Sequence, residues 1–289
     1  MTAPPAVERE EAPTVPAHRH VLPPPLRPVV AAAHGYSSPA MPTGLHRGLP
    51  SAHLTLVVEL AAPLRVTGPG PAVAAHAVVG GLHTRPALID AGRPQEGLQY
   101  ALTPAGAQAV LGVPAVELAG RTVDLADVLG RAADRLVDDL VAADGWAERF
   151  ARLDAALVDR LSGRVAPVPP EVREAWRLVH RSAGRCRVEE LAAHVGWSRR
   201  HLAERFRLAT GVTPKQAARI ARFEATRRML LDPRRPPLAE VAARCGYADQ
   251  PHLAREWRAL AGCSIGTWLR EELPFVQDTD AAAAGGSGS

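Results

Sequence analysis

Residues 191–211 read LAAHVGWSRRHLAERFRLATG, and residues 241–262 read VAARCGYADQPHLAREWRALAG. Each stretch places an alanine (Ala192, Ala242) four residues before a glycine (Gly196, Gly246), with an aromatic residue directly after the glycine. Each then runs into HLA, an arginine and a closing glycine (Gly211, Gly262). This is the spelling of a helix-turn-helix: a small residue lets two helices cross closely, and glycine supplies the left-handed backbone that ends the first of them. Ser198 and Asp249 are placed to cap the second helix of each unit, and Pro251 falls in a first turn, where a missing N–H is harmless. The units are offset by 50 residues at the alanines and by 51 at His201 and His252, so the second holds one extra residue in or just after its turn. Between them, TPKQAARIARFEATRRMLL (213–231) predicts a long amphipathic helix opened by Thr213 and Pro214, and DPRRPP (232–237) stops it.

Helical spacing sorts each second helix into two faces. Leu202 and Phe206 point inward with Leu208 or Ala209, as do Leu253, Trp257 and Leu260, while Trp197 and Tyr247 fill the space between helices. The opposite faces present Arg199, Arg200, Ala203, Glu204 and Arg207 in one unit and Gln250, Pro251, Ala254, Arg255 and Arg258 in the other. Such side chains suit the major groove. Arg200 can bridge guanine O6 and N7, Gln250 can pair with adenine, and Glu204 can accept from a cytosine amino group, or else pair with Arg200 one helical turn away. The expected base contacts are therefore Arg199, Arg200, Glu204, Gln250 and Arg255. Ser198, His201, Arg207, Lys215, His252 and Arg258 are expected on phosphates, a role that Arg199 also fits. Two linked recognition helices would enter successive major grooves about 34 Å apart. Because the outward letters differ between units, the site they read is asymmetric.

Charge follows the same division. The 289-residue chain has 34 Lys+Arg and 30 Asp+Glu. Residues 171–273 hold 20 of the basic and 12 of the acidic residues, a net of +8, which leaves −4 for the remainder. A basic part joined to an acidic part suggests a polyanion-binding module attached to something else. The three cysteines, Cys186, Cys245 and Cys263, show no CxxC spacing and read as small core or half-buried side chains in a reducing compartment. No run approaches about 18 apolar residues, so no membrane partner is expected and a cytoplasmic location is.

Upstream, residues 1–28 are rich in proline and read as a disordered arm. Between 29 and 103, runs such as LTLVVEL (54–60), AVAAHAVVGG (72–81) and TRPALIDAG (84–92), separated by Gly/Pro clusters, predict short strands of a small barrel or sandwich. A helical hairpin is expected over 124–161, capped by Asp124 and turned at Asp144 and Gly145. One apolar stripe runs through Leu125, Val128, Leu129, Ala132, Leu136 and Leu140, the other through Trp146, Phe150, Leu153, Leu157 and Leu161. That hairpin either packs on the β-region or pairs with a second subunit. The expected division is an N-terminal domain over 29–162, a linker at 163–170, a DNA-binding domain over 171–273 and a disordered tail at 274–289.

The doubled unit resembles the C-terminal domain of AraC/XylS-type transcription regulators, in which two helix-turn-helix units are joined by one long helix. The resemblance spans 173–273. It rests on the two AxxxG turns, Ser198, Phe206 with Gly211 and Pro214 after it, ARFEATRRMLL, and LAEVAARCGY. Leu253 and Trp257 replace the phenylalanines usual in the second unit, and Ile265 replaces the usual proline. Residues 80–118 look like the N-terminal sensory domain of one branch of these regulators. The resemblance implies an α+β chain with a cupin-like β-barrel and helical hairpin before the all-α domain. It also implies double-stranded DNA as partner, with RNA polymerase, a small-molecule effector and a second copy of the chain as possible partners. No metal or cofactor and no catalysis are expected. His18, His20, His34, His46, His53, His76 and His83 lack a metal-binding cupin's HxH spacing with a following carboxylate, and no GxSxG, Walker A or GxGxxG motif occurs. The alternative left open is a DNA-binding module fused to an enzymatic or protein-interaction domain.

Overall fold

The computed structural model describes residues 17–161 and 168–272. The chain is α+β: antiparallel sheets precede an all-helical region. The strands are β1 (Ala17–Arg19), β2 (Val30–Ser38), β3 (Leu45–Gly48), β4 (Leu54–Glu59), β5 (Leu64–Thr67), β6 (Val73–Ala75), β7 (Ala77–Gly80), β8 (Ala87–Asp90), β9 (Gln95–Leu102) and β10 (Thr122–Asp124). One sheet has the order β1-β2-β9-β4-β7-β10, the other β3-β8-β5-β6. AVAAHAVVGG is therefore two strands, not one: the chain leaves the smaller sheet after β6 and enters the larger at β7.

The period-two alternation of β4 decides what each side of the larger sheet faces. Leu54, Leu56 and Val58 are buried with Leu98, Tyr100 and Leu102 of β9 against helices, whereas Thr55 and Val57 look toward the smaller sheet. The covering helices are α1 (Pro104–Leu111), α2 (Ala115–Leu118), α3 (Leu125–Leu129), α4 (Arg131–Val141) and α5 (Gly145–Arg160). Phe150, Leu153 and Leu157 of α5 pack into this core with Leu136 and Leu140 of α4, so the hairpin covers its own sheet. Asp124 caps α3, accepting from the Ala126 N–H at 2.8 Å. The first arm of the expected hairpin is nevertheless broken. Gly130 adopts φ 59° and ψ −146°, a conformation open almost only to glycine, and the chain changes direction there.

Residues 17–28 correct the expectation of a disordered arm. β1 pairs antiparallel with β2, and Leu26 is fully buried. His20 stacks on Phe150 at 4.2 Å, and its Nε2 lies 2.6 Å from Oδ2 of the buried Asp154, whose other oxygen accepts from the Tyr100 hydroxyl at 2.9 Å. A proline-rich composition hides such a segment because Phe150 and Asp154, the side-chain partners of His20, lie more than a hundred residues away. The rest of the expected arm (1–16), most of the linker (163–167) and the tail (274–289) lie outside the described residues.

The helical region comprises α6 (Pro170–Arg181), α7 (Val188–His194), α8 (Arg199–Thr210), α9 (Pro214–Leu231), α10 (Leu238–Arg244), α11 (Gln250–Ala261) and α12 (Ile265–Glu271). α6 already begins at Pro170, the last residue of the expected linker. The sequence also leads one to expect a separate core for each domain. Instead, one cluster runs from Leu26 through the β-region into α6, α7, α8 and the first half of α9, the second helix-turn-helix has a core around Trp257 and Trp268, and the smaller sheet has one around Leu64, Val66 and Ala87. No helix among the described residues is long and apolar enough to cross a membrane.

Candidate nucleic-acid interface

The two turns are built alike, atom for atom. Trp197 N–H donates to the Ala192 carbonyl and Tyr247 N–H to the Ala242 carbonyl, both at 2.9 Å. Gly196 and Gly246 N–H groups donate to the carbonyls of Ala193 and Ala243, both at 3.2 Å, with φ of 73° and 76°. This double bond pattern is a Schellman ending, and it needs a residue that tolerates positive φ at the glycine. Ala192 and Ala242 are buried at the crossing, as their small size requires. The second helices then start on caps: the Ser198 hydroxyl accepts from His201 N–H at 3.2 Å, and the Asp249 carboxylate from His252 N–H at 2.6 Å. The extra residue of the second unit is Ala248, which sits between the aromatic and the cap and donates its N–H to His252 Nδ1 at 3.3 Å.

The inward faces are buried as the spacing requires. Leu202, Phe206, Leu253, Trp257 and Leu260 are all fully enclosed. Leu208 is not: it is 43% exposed, and Ala209 and Thr210 close the first helix instead. Thr210 can do so because its hydroxyl is satisfied by the Phe206 carbonyl at 2.8 Å.

Every expected base-contacting residue, Arg199, Arg200, Glu204, Gln250 and Arg255, is exposed on α8 or α11. Arg200 and Glu204 form neither an ion pair nor a hydrogen bond among the described residues, with each other or elsewhere, so both remain available to a ligand. Arg199 instead pairs with Glu189 at 2.7 Å on a highly exposed surface, a weak contact that a phosphate can displace. Arg207 and Arg258 are exposed in the last turns of their helices, and Lys215 is exposed in the first turn of α9. The histidines are partly committed. His201 meets Trp197 edge-on at 4.6 Å, and His252 meets Tyr247 at 5.5 Å, while its Nδ1 already accepts the Ala248 bond. Ser198 and His252 can therefore donate to a phosphate without giving up their helical roles.

Two features went unseen in the sequence. Arg205 is a further exposed cation on α8, whereas the residue at the matching place in α11, Glu256, is tied to Arg219 of α9 at 2.7 Å. The β-region also touches the C-terminal end of both recognition helices. A Cβ on Gly211 would lie 2.6 Å from the Cβ of Ala119, just past α2, and one on Gly262 would lie 2.8 Å from Cγ of Pro86, before β8. On the far side, Arg47 of β3 reaches Glu272 at 3.0 Å and Glu271 at 3.2 Å, His46 Nδ1 meets the other Glu272 oxygen at 2.8 Å, and Ala52 N–H donates to Glu224 of α9 at 2.9 Å.

Between the two sheets lies a cavity of about 310 Å³ whose lining includes Glu224, Arg227, Trp268 and Glu272 of the helical region. Nearby, His180 of α6 packs at a tilt against Trp176, ring centres 4.7 Å apart, and is pushed down to a pKa of about 3 by burial, with His53 and Arg228 adding repulsion. Burial likewise pushes the Cys245 and Cys263 thiols up, as suits core side chains.

Residues 191–271 match a family model described as a helix-turn-helix domain. Among curated proteins none is significantly similar in sequence. Among solved structures, ToxT from Vibrio cholerae is similar in fold at 8% identity with a TM-score of 0.50, covering 83% of this chain and 98% of that one. A structure described as unsaturated fatty acid bound wild-type ToxT from Vibrio cholerae strain SCE256 gives the same identity and score over 84% of this chain and 95% of that one.

Proposed function

We propose that this chain, whose C-terminal region is an AraC/XylS-type double helix-turn-helix domain, is a sequence-specific DNA-binding transcription regulator controlled through its β-region. The observation that carries this reading is the pair of superimposable turns, each presenting a recognition helix with one buried and one solvent-facing side. In this reading Arg199, Arg200, Glu204, Gln250 and Arg255 contact bases, and Ser198, His201, Arg207, Lys215, His252 and Arg258 hold phosphates. Residues 29–162 form the sensory part and 171–273 the DNA-binding part.

Control through the β-region has its own support. The cavity between the sheets is closed partly by α9 and α12, so an occupant would touch both parts of the chain at once. A ligand that favours one arrangement of the two parts shifts the population of that arrangement, and DNA affinity with it. ToxT, of similar fold, is described as binding an unsaturated fatty acid, which supports a small-molecule occupant for this fold. RNA polymerase and a second copy of the chain complete the set of proposed partners.

The test is selection of bound sites from random double-stranded DNA with the full-length chain, followed by footprinting. The reading expects an asymmetric sequence protected in two adjacent major grooves on one face. Binding with no sequence preference would refute it. For the sensory role, Ala101→Phe, which fills the cavity from β9, is expected to change affinity for the selected site; unchanged affinity would refute control through the cavity.

A further inference from the structure

The two walls of the cavity differ in chemistry. The larger sheet offers a cross-strand row of His34, Gln99 and Val57, and beside it a second row of Ala32, Ala101, Thr55, Gly80 and Thr122. The small members of the second row keep the wall low and make the space. The Gln99 amide and the Thr55 and Thr122 hydroxyls make none of the side-chain hydrogen bonds formed among the described residues. Together they offer donors and acceptors on one side. On the facing wall β5 and β8 present only apolar side chains, Leu64, Val66, Ala87 and Ile89, and the polar side chains that this sheet adds to the lining, His46 and Arg47, lie on β3.

Apart from its histidines (His34, His46, His53 and His83), the charged groups of the lining cancel. They are two guanidiniums, Arg47 and Arg227, and two carboxylates, Glu224 and Glu272. Arg47 and His46 occupy both oxygens of Glu272, whose side chain is only 2% exposed. Glu224 accepts from the Ala52 backbone, and Arg227 is engaged within the protein. Burial pushes His83 toward its neutral form. An anionic ligand would thus enter as an uncompensated charge removed from water, a penalty larger than its hydrogen bonds return.

Resting on the reading of this cavity as the effector site, we propose that it takes a small uncharged molecule with one hydrogen-bonding edge and one apolar face, an aromatic amide being the model compound. The edge meets Gln99, Thr55 and Thr122, and the apolar face lies against Leu64, Val66 and Ile89. A cavity of this volume sits at the small end of ligand sites, which limits the occupant to a compact molecule.

The test is ligand-observed NMR titration of the full-length chain with benzamide and, separately, with benzoate at neutral pH. Molecules of this size bind in the millimolar range at ordinary ligand efficiencies, within reach of the method. Benzamide is expected to bind about tenfold more tightly than benzoate, and Gln99→Leu to weaken benzamide binding about tenfold while thermal unfolding confirms a folded chain. Glu272→Gln, which leaves the guanidiniums in excess, is expected to raise benzoate affinity. Benzoate binding as well as or better than benzamide, saturable binding of neither probe, or benzamide affinity unchanged by Gln99→Leu would each overturn the proposal. If Ala101→Phe alters DNA affinity while the probes fail, the ligand class is wrong and control through the cavity stands.

Discussion

Arg47 of β3 and Glu272 at the end of α12 are joined by a 3.0 Å ion pair, although 225 residues separate them in the chain. The Glu272 carboxylate is almost entirely out of water and accepts from the Arg47 backbone N–H as well. The pair therefore fastens the small sheet to the last described helix of the second helix-turn-helix. Arg47→Ala leaves a buried carboxylate without its main partner, and the expected loss is about 3 kcal/mol. Chemical denaturation would measure it. A double variant with Glu272→Gln should lose less than the sum of the two single changes; additivity would show that the residues do not act as a pair.

Gly211 and Gly196 both have positive φ, but only Gly211 is also crowded by the β-region. Gly196→Ala meets nothing within 4 Å and should cost only the left-handed backbone penalty, about 1–2 kcal/mol. Gly211→Ala must also push back Ala119 and the Ala115 carbonyl, so a larger loss is expected. Equal losses in denaturation midpoint would argue against docking of α8 on α2.

His180 makes stability depend on pH. Its pKa is about 3 in the folded chain and near 6.5 in the unfolded one, so between these values the unfolded state binds more protons. Stability should therefore fall as pH drops below about 6.5, by at most about 1.4 kcal/mol per unit from this group. Glu224, 3.8 Å away, is too distant for a hydrogen bond that would offset the burial. His180→Phe keeps the packing on Trp176 and should flatten this limb of the profile; an unchanged limb would assign the dependence to other groups.

Arg200 and Arg258 should fail differently. Arg200→Ala is expected to weaken binding to the selected site by about 1–3 kcal/mol and to relax the preference at one base pair. Arg258→Ala should weaken binding to every sequence and reduce the salt dependence. Binding titrations at several salt concentrations, on selected and scrambled DNA, distinguish the two. An equal loss on both DNAs for Arg200→Ala would contradict its role as a base reader.

The helix-turn-helix units were legible because their signals are local. Ala192, Gly196 and Ser198 act within a few residues of one another, and so do Ala242, Gly246 and Asp249. Spacing alone also turned Arg199, Arg200, Glu204, Arg207, Gln250, Arg255 and Arg258 outward, where they are exposed, but Ala203 is half-buried, and Leu208, left as a possible inward residue, is turned out to solvent. The β-region was legible in kind but not in detail. β1 hides in a proline-rich stretch because His20 is held by Asp154, far along the chain, and Gly130 breaks a hairpin arm whose apolar stripe reads as continuous. The docking of Pro86 on Gly262, the Arg47–Glu272 pair and the cavity that this pair lines are long-range juxtapositions, and no short motif announces them.

Hydroxyl-radical footprinting of the full-length chain on a site selected from random DNA tests the central claim most directly. Two patches of protection on one face of the duplex, about 10 base pairs apart and unlike in sequence, are expected from two rigidly linked recognition helices with different outward side chains. A single protected patch, or protection that does not follow sequence, would contradict it.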